Sequence, residues 1–255
     1  MFEGSRIAVV VPAFRVESRL AAVLAGMPSF VDDVFVIDDG SDDRTGTIAR
    51  GARCSAQRCT VLVHDANRGV GAAIATGYSA AIASGSEVIA VMAGDGQMDP
   101  RDLEHVIAPV VRGACDYAKG NRLAHPSVWR AMPFTRLVGN FVLSNLTRLA
   151  TGLWHVNDSQ CGYTAIHRRV LLALDPAAMW ARYGYPNHLL GALARTGHRV
   201  ADVVVRPVYA GEQSGIRLRD AVITIPRILA AIAMARVTEK RHEQLPAPRG
   251  FIEIR

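Results

Sequence analysis

The stretch Val88-Ile89-Ala90-Val91-Met92-Ala93-Gly94-Asp95-Gly96-Gln97-Met98-Asp99-Pro100 decides the fold. Its six apolar residues, Val88 to Ala93, are too few to span a membrane and suit a central strand. The strand ends in a small polar cluster, with glycines on either side of Asp95. A carboxylate at Asp95 and an amide at Gln97, held at a strand's carboxyl end, suit a hard divalent cation. Asp99 is a good N-cap and Pro100 fits the first helical position, so a capped helix should follow at once.

Upstream, the same alternation repeats. Ile7 to Val11 is a buried strand closed by Pro12, Val34 to Ile37 a second, and Thr60 to Val63 a third. Helical patterns lie between them: one within Phe14 to Gly26 with Leu20, Val23 and Leu24 on one face, one through Ala49 capped by Ser41 or Asp42, and an alanine-rich one over Ala72 to Ser84. Strand and helix in alternation imply a parallel sheet with helices on both faces. The near-continuous apolar strands agree, because such strands are buried on both sides. Ligands of open sheets of this kind sit outside the carboxyl ends of the strands. Three polar clusters fall there, Pro12 to Glu17, Asp38 to Asp43 and Asp95 to Gln97, and together they predict a single site.

Downstream, a helix over Pro100 to Arg112 leads to a short strand ending near Asn121-Arg122, where the basic residue suits a phosphate. Apolar residues recur at helical spacing from Phe134 to Leu149. The polar run Asn157 to Tyr163 follows, then a helix to Leu174, a helix opened by Tyr185-Pro186, and a last strand over Val200 to Val208. The polar, glycine-containing segment Tyr209 to Arg219 is expected to be a mobile loop. From residue 221 the character changes: Ala221 to Ala235 is apolar but interrupted by Pro226, and ten Lys/Arg stand against six acids between Arg199 and Arg255. Residues 221–255 are therefore expected to form an amphipathic helical tail after a domain over 1–220, loosely ordered from Glu239. The tail could lie on a membrane surface, pack on the body, or pair with a second copy in a homodimer.

The 255 residues are 50% hydrophobic and 20% charged, enough for a large core and against disorder. The net charge of +6 favours anionic partners. Nucleic acid is disfavoured, because the basic residues are scattered and the 6% of aromatics offer no stacking platform. Cys54, Cys59, Cys115 and Cys161 lack metal-site spacing and read as reduced thiols. His64, His105, His125 and His155 likewise suggest no metal site. With no signal peptide and no run long enough for a membrane helix, a cytoplasmic protein is expected, soluble or peripheral at the membrane.

Taken together, the motifs resemble family 2 glycosyltransferases. Val10-Val11-Pro12-Ala13-Phe14 with Glu17 is similar to the opening signature of that family, and Ile37-Asp38-Asp39-Gly40-Ser41-Asp42-Asp43-Arg44-Thr45 to its second. Asn67-Arg68-Gly69-Val70-Gly71-Ala72-Ala73 resembles the next turn and helix. Ala93 to Pro100 falls at the metal-binding DxD-type motif, and Asp158 to Tyr163 looks like the acceptor-side motif. The resemblance covers roughly residues 5 to 220 and is closest to the dolichol-phosphate mannosyltransferase-like branch.

That resemblance implies an α/β fold of the GT-A type: a Rossmann-like, mostly parallel central sheet with helices on both faces. It also implies inverting transfer of a sugar from a UDP- or GDP-linked donor to a polyprenyl phosphate. The alternatives are a soluble small-molecule or saccharide acceptor, or a nucleotide-binding module without transferase activity. By position, Pro12, Ala13, Phe14, Glu17, Asp39, Gly69, Gly94 and Asp95 would contact the nucleotide sugar. Arg217 would lie in a loop, Ser214 to Arg217, that closes over the donor. Asp95 and Gln97 would hold Mg²⁺ or Mn²⁺, Arg122 would hold a phosphate, and Asp158 would act as base or position the acceptor. Two positions depart from the pattern. Ala93 replaces the first acid of the DxD-type motif, leaving Asp95 and Gln97 to bind metal with help from the diphosphate. His188 stands where relatives often carry an acid, which makes it a candidate base, or else a helix-surface histidine.

Overall fold

The computed structural model describes residues 1–209 and 223–240. A seven-stranded sheet forms the centre, in the order β3-β2-β1-β4-β6-β5-β7. Its strands are β1 (Ile7–Ala13), β2 (Asp33–Asp38), β3 (Arg58–Val63), β4 (Val88–Val91), β5 (Tyr117–Asn121), β6 (Thr164–His167) and β7 (Val200–Val204). β1 runs parallel to β2 and β4, and β2 to β3. β6 is antiparallel to both β4 and β5, whereas β7 is parallel to β5.

Period two along β1 feeds two cores. Ile7, Val9, Val11 and Ala13 point to one face, against Leu20, Val23 and Leu24 of α1 (Leu20–Ala25) and Leu103, Val106 and Ile107 of α4 (Leu103–Val111). α2 (Thr45–Gly51) adds Ala49 on that side. Ala8 and Val10 point to the other face, against Ala73, Ile74 and Tyr78 of α3 (Val70–Ala83), Val170 and Leu171 of α7 (Arg168–Leu174) and Leu189 and Leu190 of α8 (Tyr185–Arg195). Burial on both faces explains why the strands are apolar without alternation.

The predicted strands and helices of the first hundred residues are all present, with differences at their ends. β4 stops at Val91, two residues before the apolar run does. β7 ends at Val204, because Val205 already belongs to the turn that aims Arg206 at Asp102, Nε to Oδ1 at 2.9 Å. The expected caps of α2 are otherwise engaged: Ser41 Oγ accepts from Arg15 N at 3.1 Å, and Asp42 forms an ion pair with Arg15 at 2.6 Å. Asp43 Oδ1 takes the Thr45 N–H instead, at 2.9 Å. Asp99 does cap the turn Pro100–Asp102, accepting from Arg101 N at 2.9 Å.

β6 has no counterpart in the sequence-based reading, which runs from the polar segment 157–163 straight into α7. It is short, but it decides the site. Because β6 is antiparallel, its amino-terminal end lies at the carboxyl edge of its neighbours β4 and β5. The residues before it, Asp158 to Gly162, are thereby delivered to the same edge as Asp95 and Arg122.

Two further helices, the short α5 (Val128–Ala131) and the long α6 (Phe134–Thr151), follow β5. α9 (Ile225–Lys240) packs on α6 and α8, burying Ile225, Ile228, Leu229 and Ile232 with Ala150. Among the described residues no helix is long and apolar enough to cross a membrane. The four cysteines are free thiols.

Asp116, just before β5, ties three elements together. It accepts from Arg199 N at 2.9 Å and pairs with Arg169 of α7 at 2.5 Å. Burial pushes its carboxyl up, but the hydrogen bonds from Arg199 and Arg169 prevail and hold it at about 2. A carboxylate with a lowered folded pKa contributes stability above its unfolded pKa and loses it as pH falls through the folded value. Asp116→Asn is therefore expected to cost roughly 2 kcal/mol at pH 7, a figure already discounted for the exposed arginines. In denaturant titrations the gap between variant and wild type should shrink as pH falls from about 4 towards 2.

Candidate active site

The strand order reverses direction between β1 and β4, the position where open α/β sheets bind ligands. A cleft of about 240 Å³ opens there. Pro12 of β1 and Ala93, Asp95 and Gln97 beyond β4 line one side. Arg122, Arg136, Asn140, Gln160 and Tyr209 line the other, with Tyr183, Tyr185 and Pro186 from the start of α8.

The Asp95 loop is held from several directions. Gly94 N donates to Pro12 O at 3.0 Å, joining the loop to β1. Asp95 Oδ1 accepts from Gln97 N at 3.0 Å, a local turn that sets both side chains on the cleft. Beyond it, Asp99 pairs with Arg101 at 2.7 Å and with Arg206 at 3.3 Å, so it anchors the loop from below. Among the described residues no three His, Cys, Asp or Glu converge as a self-sufficient metal cage. One carboxylate and one amide do fit Mg²⁺ or Mn²⁺ when a diphosphate and water complete the shell.

The nucleotide-side residues named from sequence gather at the ends of β1 and β2. Asp39 N donates to Ala13 O at 2.9 Å. Asp39 itself is only 2% exposed: it accepts from Arg68 N at 2.9 Å and Gly69 N at 2.7 Å, and lies 2.7 Å from His64 Nδ1. It thus builds the turn at Gly69, where φ is +100° and a Cβ would stand 2.6 Å from Ala181 O, so glycine is required. Glu17 accepts from Arg44 N at 3.0 Å, and Phe14 is partly exposed with the Arg15 guanidinium 5.2 Å above its ring. The three polar clusters predicted to converge do share this edge.

On the opposite side, Arg122 and Asp158 form a buried bidentate pair. Arg122 Nε donates to Oδ2 at 2.8 Å and Nη2 to Oδ1 at 3.0 Å; Arg122 N adds a third bond to Oδ2 at 3.1 Å. Asp158 is 0% exposed. Burial would raise its carboxyl pKa, but the Arg122 charge and hydrogen bonds hold it below the usual range. Burial likewise works against the Arg122 cation, and Asp158 more than restores it. The buried Lys119, whose Nζ donates to Cys161 O, adds a second positive charge near Asp158 and has its own pKa lowered by burial.

Arg122 Nη1 also donates to Tyr209 Oη at 3.2 Å, and the Arg136 guanidinium lies 5.3 Å from the centre of the same ring. One tyrosine therefore brings two arginines to the cleft wall. Arg136, Asn140, Gln160 and Tyr209 were not singled out from sequence; the signal was Arg136 and Asn140, four residues apart and so on one face of their helix. His188 is not brought to the cleft: it is half-buried on α8, and burial with the charge of Arg195 lowers its pKa. Arg217 and its loop lie outside the described residues.

The glycosyl transferase family 2 profile matches residues 8–174. UDP-N-acetylglucosamine–dolichyl-phosphate N-acetylglucosaminyltransferase of Methanococcus voltae is 27% identical over 80% of this chain and 86% of that protein. Polyprenol monophosphomannose synthase of Mycolicibacterium smegmatis is 27% identical over 86% of this chain and 85% of that protein. Among solved structures, glucosyl-3-phosphoglycerate synthase of Mycobacterium tuberculosis, in complex with Mn²⁺, UDP and glucosyl-3-phosphoglycerate, superimposes with a TM-score of 0.65. It is 21% identical and covers 91% of this chain and 80% of the other, which establishes the GT-A fold. The chain belongs to glycosyl transferase family 2. It is a nucleotide-sugar-dependent glycosyltransferase.

Proposed function

We propose that the chain transfers a sugar, with inversion, from a UDP- or GDP-linked donor to a polyprenyl phosphate. The observation that carries this reading is the pairing of Arg122 and Arg136 around Tyr209, across one cleft from Asp95 and Gln97. Two guanidinium groups on one wall suit a phosphate better than a sugar hydroxyl. The names of the Methanococcus and Mycolicibacterium relatives support a lipid-phosphate acceptor.

The acceptor phosphate oxygen attacks the anomeric carbon as the bond from that carbon to the donor diphosphate breaks, and the nucleoside diphosphate leaves. A phosphate is already an anion, so no base need deprotonate it. That agrees with Asp158, whose two oxygens are both taken by Arg122. Asp158 is a positioning residue that aims the Arg122 guanidinium, and Arg122 with Arg136 hold the nucleophile in line. On the donor side, Pro12, Ala13, Phe14 and Glu17 border the nucleoside, with Asp39 and Gly69 shaping the turn beneath it and Gly94 fixing the Asp95 loop. Asp95 and Gln97 are the residues that would hold Mg²⁺ or Mn²⁺, and the ion would supply positive charge to offset that of the leaving diphosphate.

The assay is transfer from a panel of UDP- and GDP-sugars to a polyprenyl phosphate, with a soluble phosphorylated acid as the competing acceptor. Transfer to the soluble acceptor alone would overturn the lipid reading. Arg136→Ala is expected to raise the acceptor KM by roughly 10- to 100-fold, the worth of one charged hydrogen-bond partner, while leaving the donor KM nearly unchanged. An equal rise in both would remove Arg136 from the acceptor side.

A further inference from the structure

α6 is amphipathic the wrong way round for a surface helix. Its buried residues are Ser144, Thr147, Ala150 and Thr151, and its inward side also carries Arg136 and Asn140 to the cleft. Facing solvent are Phe134, Val138, Phe141, Val142, Leu146 and Leu149, with Phe134 73% and Phe141 62% exposed. At 3.6 residues per turn these six fall on one arc of about 140°. A helix packed on a soluble body ordinarily turns that arc inward. Trp129, on α5 just before it, and Trp154, just after it, are 75% and 60% exposed. An exposed apolar patch of this extent marks an interaction surface.

The charge pattern selects the occupant. From Tyr117 to Asn157 there are five Lys/Arg and no Asp or Glu. Arg130 beside Trp129 is exposed, and so is Arg227 on the adjacent α9. Tryptophans flanking an apolar arc, in a stretch of chain that carries cations and no acids, match the headgroup and upper acyl region of an anionic bilayer. A second copy of the same surface would bring like charges together.

We propose that the outer face of α6 seats this protein on an anionic membrane surface, lying in the plane of the interface. One helix then does two jobs: Phe134, Val138 and Phe141 enter the lipid, while Arg136 and Asn140 on its other side reach the cleft. A lipid phosphate at the interface would need to leave the bilayer only by the thickness of that helix. The inference deepens the acceptor reading and rests on it for this consequence, whereas the docking itself stands on the surface alone.

The test is flotation of the full chain with vesicles of phosphatidylcholine, with and without phosphatidylglycerol, in the absence of donor and polyprenyl phosphate. Wild type should float with the anionic vesicles, and its tryptophan emission should shift to the blue. Phe134→Ser/Phe141→Ser should reduce partitioning at least about tenfold, since both rings are withdrawn from lipid. Both positions are exposed, so the fold should survive the change. Wild type that stays off anionic vesicles, or a double variant that binds them equally well, would overturn the proposal. So would a dimer that the double variant dissociates in a protein with no vesicle affinity. Transfer to a short-chain, water-soluble polyprenyl phosphate should be equal in wild type and variant. Absence of that transfer with vesicle binding intact would overturn the acceptor reading and uphold the docking.

Discussion

Arg122→Met is expected to lower stability by roughly 3–5 kcal/mol and transfer by roughly 10²- to 10³-fold. The stability loss follows from what is left behind. Asp158 is fully buried, and three of its hydrogen bonds come from Arg122. The backbone bond from Arg122 N survives the substitution, but the guanidinium charge does not. Lys119 lies near enough to offset part of the orphaned charge, which places the cost toward the lower end of the range. Denaturant unfolding at pH 7 measures it directly.

A second variant separates fold from chemistry. In Arg122→Met/Asp158→Leu both members of the pair become apolar, and most of the lost stability should return, because a buried ion pair stabilises little beyond an apolar replacement. Transfer should not return. If activity recovered together with stability, Arg122 would matter only as the partner of Asp158, and its phosphate contact would have to be abandoned. Asp158→Asn gives the complementary reading: the guanidinium keeps a partner of the same shape, so transfer should fall less than in Arg122→Met.

The sheet was legible because its strands are buried on both faces and therefore apolar throughout. β6 escaped because Thr164-Ala165-Ile166-His167 is four residues long, bounded by polar side chains, and adjoins a helix without a turn between. The placement of Asp95, Gln97 and Arg122 on one edge was legible because each follows the end of a strand. The pairing of Arg122 with Asp158, 36 residues apart in sequence, was not, since it depends on the antiparallel entry of β6. α6 shows a different limit. Apolar periodicity from Phe134 to Leu149 announced a helix with an apolar face, and that much is correct. Periodicity carries no information about which face turns inward. Arg136 and Asn140 lie on the opposite side, the one that meets the cleft. The place of Asp39 at a strand end was legible, but its hold on the Gly69 turn was not, because its hydrogen bonds run to backbone N–H groups about thirty residues away.

The donor side yields the other large effect. Asp95→Ala is expected to reduce transfer by roughly 10²- to 10³-fold at saturating donor, since it removes the one carboxylate that, among the described residues, the cleft would offer a cation beside the diphosphate. Its fold should be little affected: Asp95 is partly exposed, and the loop keeps the Gly94 bond to Pro12 and the Asp99 anchor. The converse substitution is more telling. Ala93 lines the same cleft, two residues before Asp95, and is partly exposed, so a carboxylate can be added there without burying a charge. Ala93→Asp should lower the Mn²⁺ concentration for half-maximal transfer by roughly tenfold or more, because affinity for hard cations rises with the number of charged ligands. In Ala93→Asp/Asp95→Ala the new acid should recover only part of the rate, as it enters the loop from a different register. The metal titration is read at fixed donor concentration, with thermal stabilisation by nucleoside diphosphate, with and without Mn²⁺, as a readout independent of turnover. If Ala93→Asp leaves both the Mn²⁺ titration and that stabilisation unchanged, the cation does not sit between Ala93 and Asp95, and the diphosphate must be placed deeper, toward Arg122.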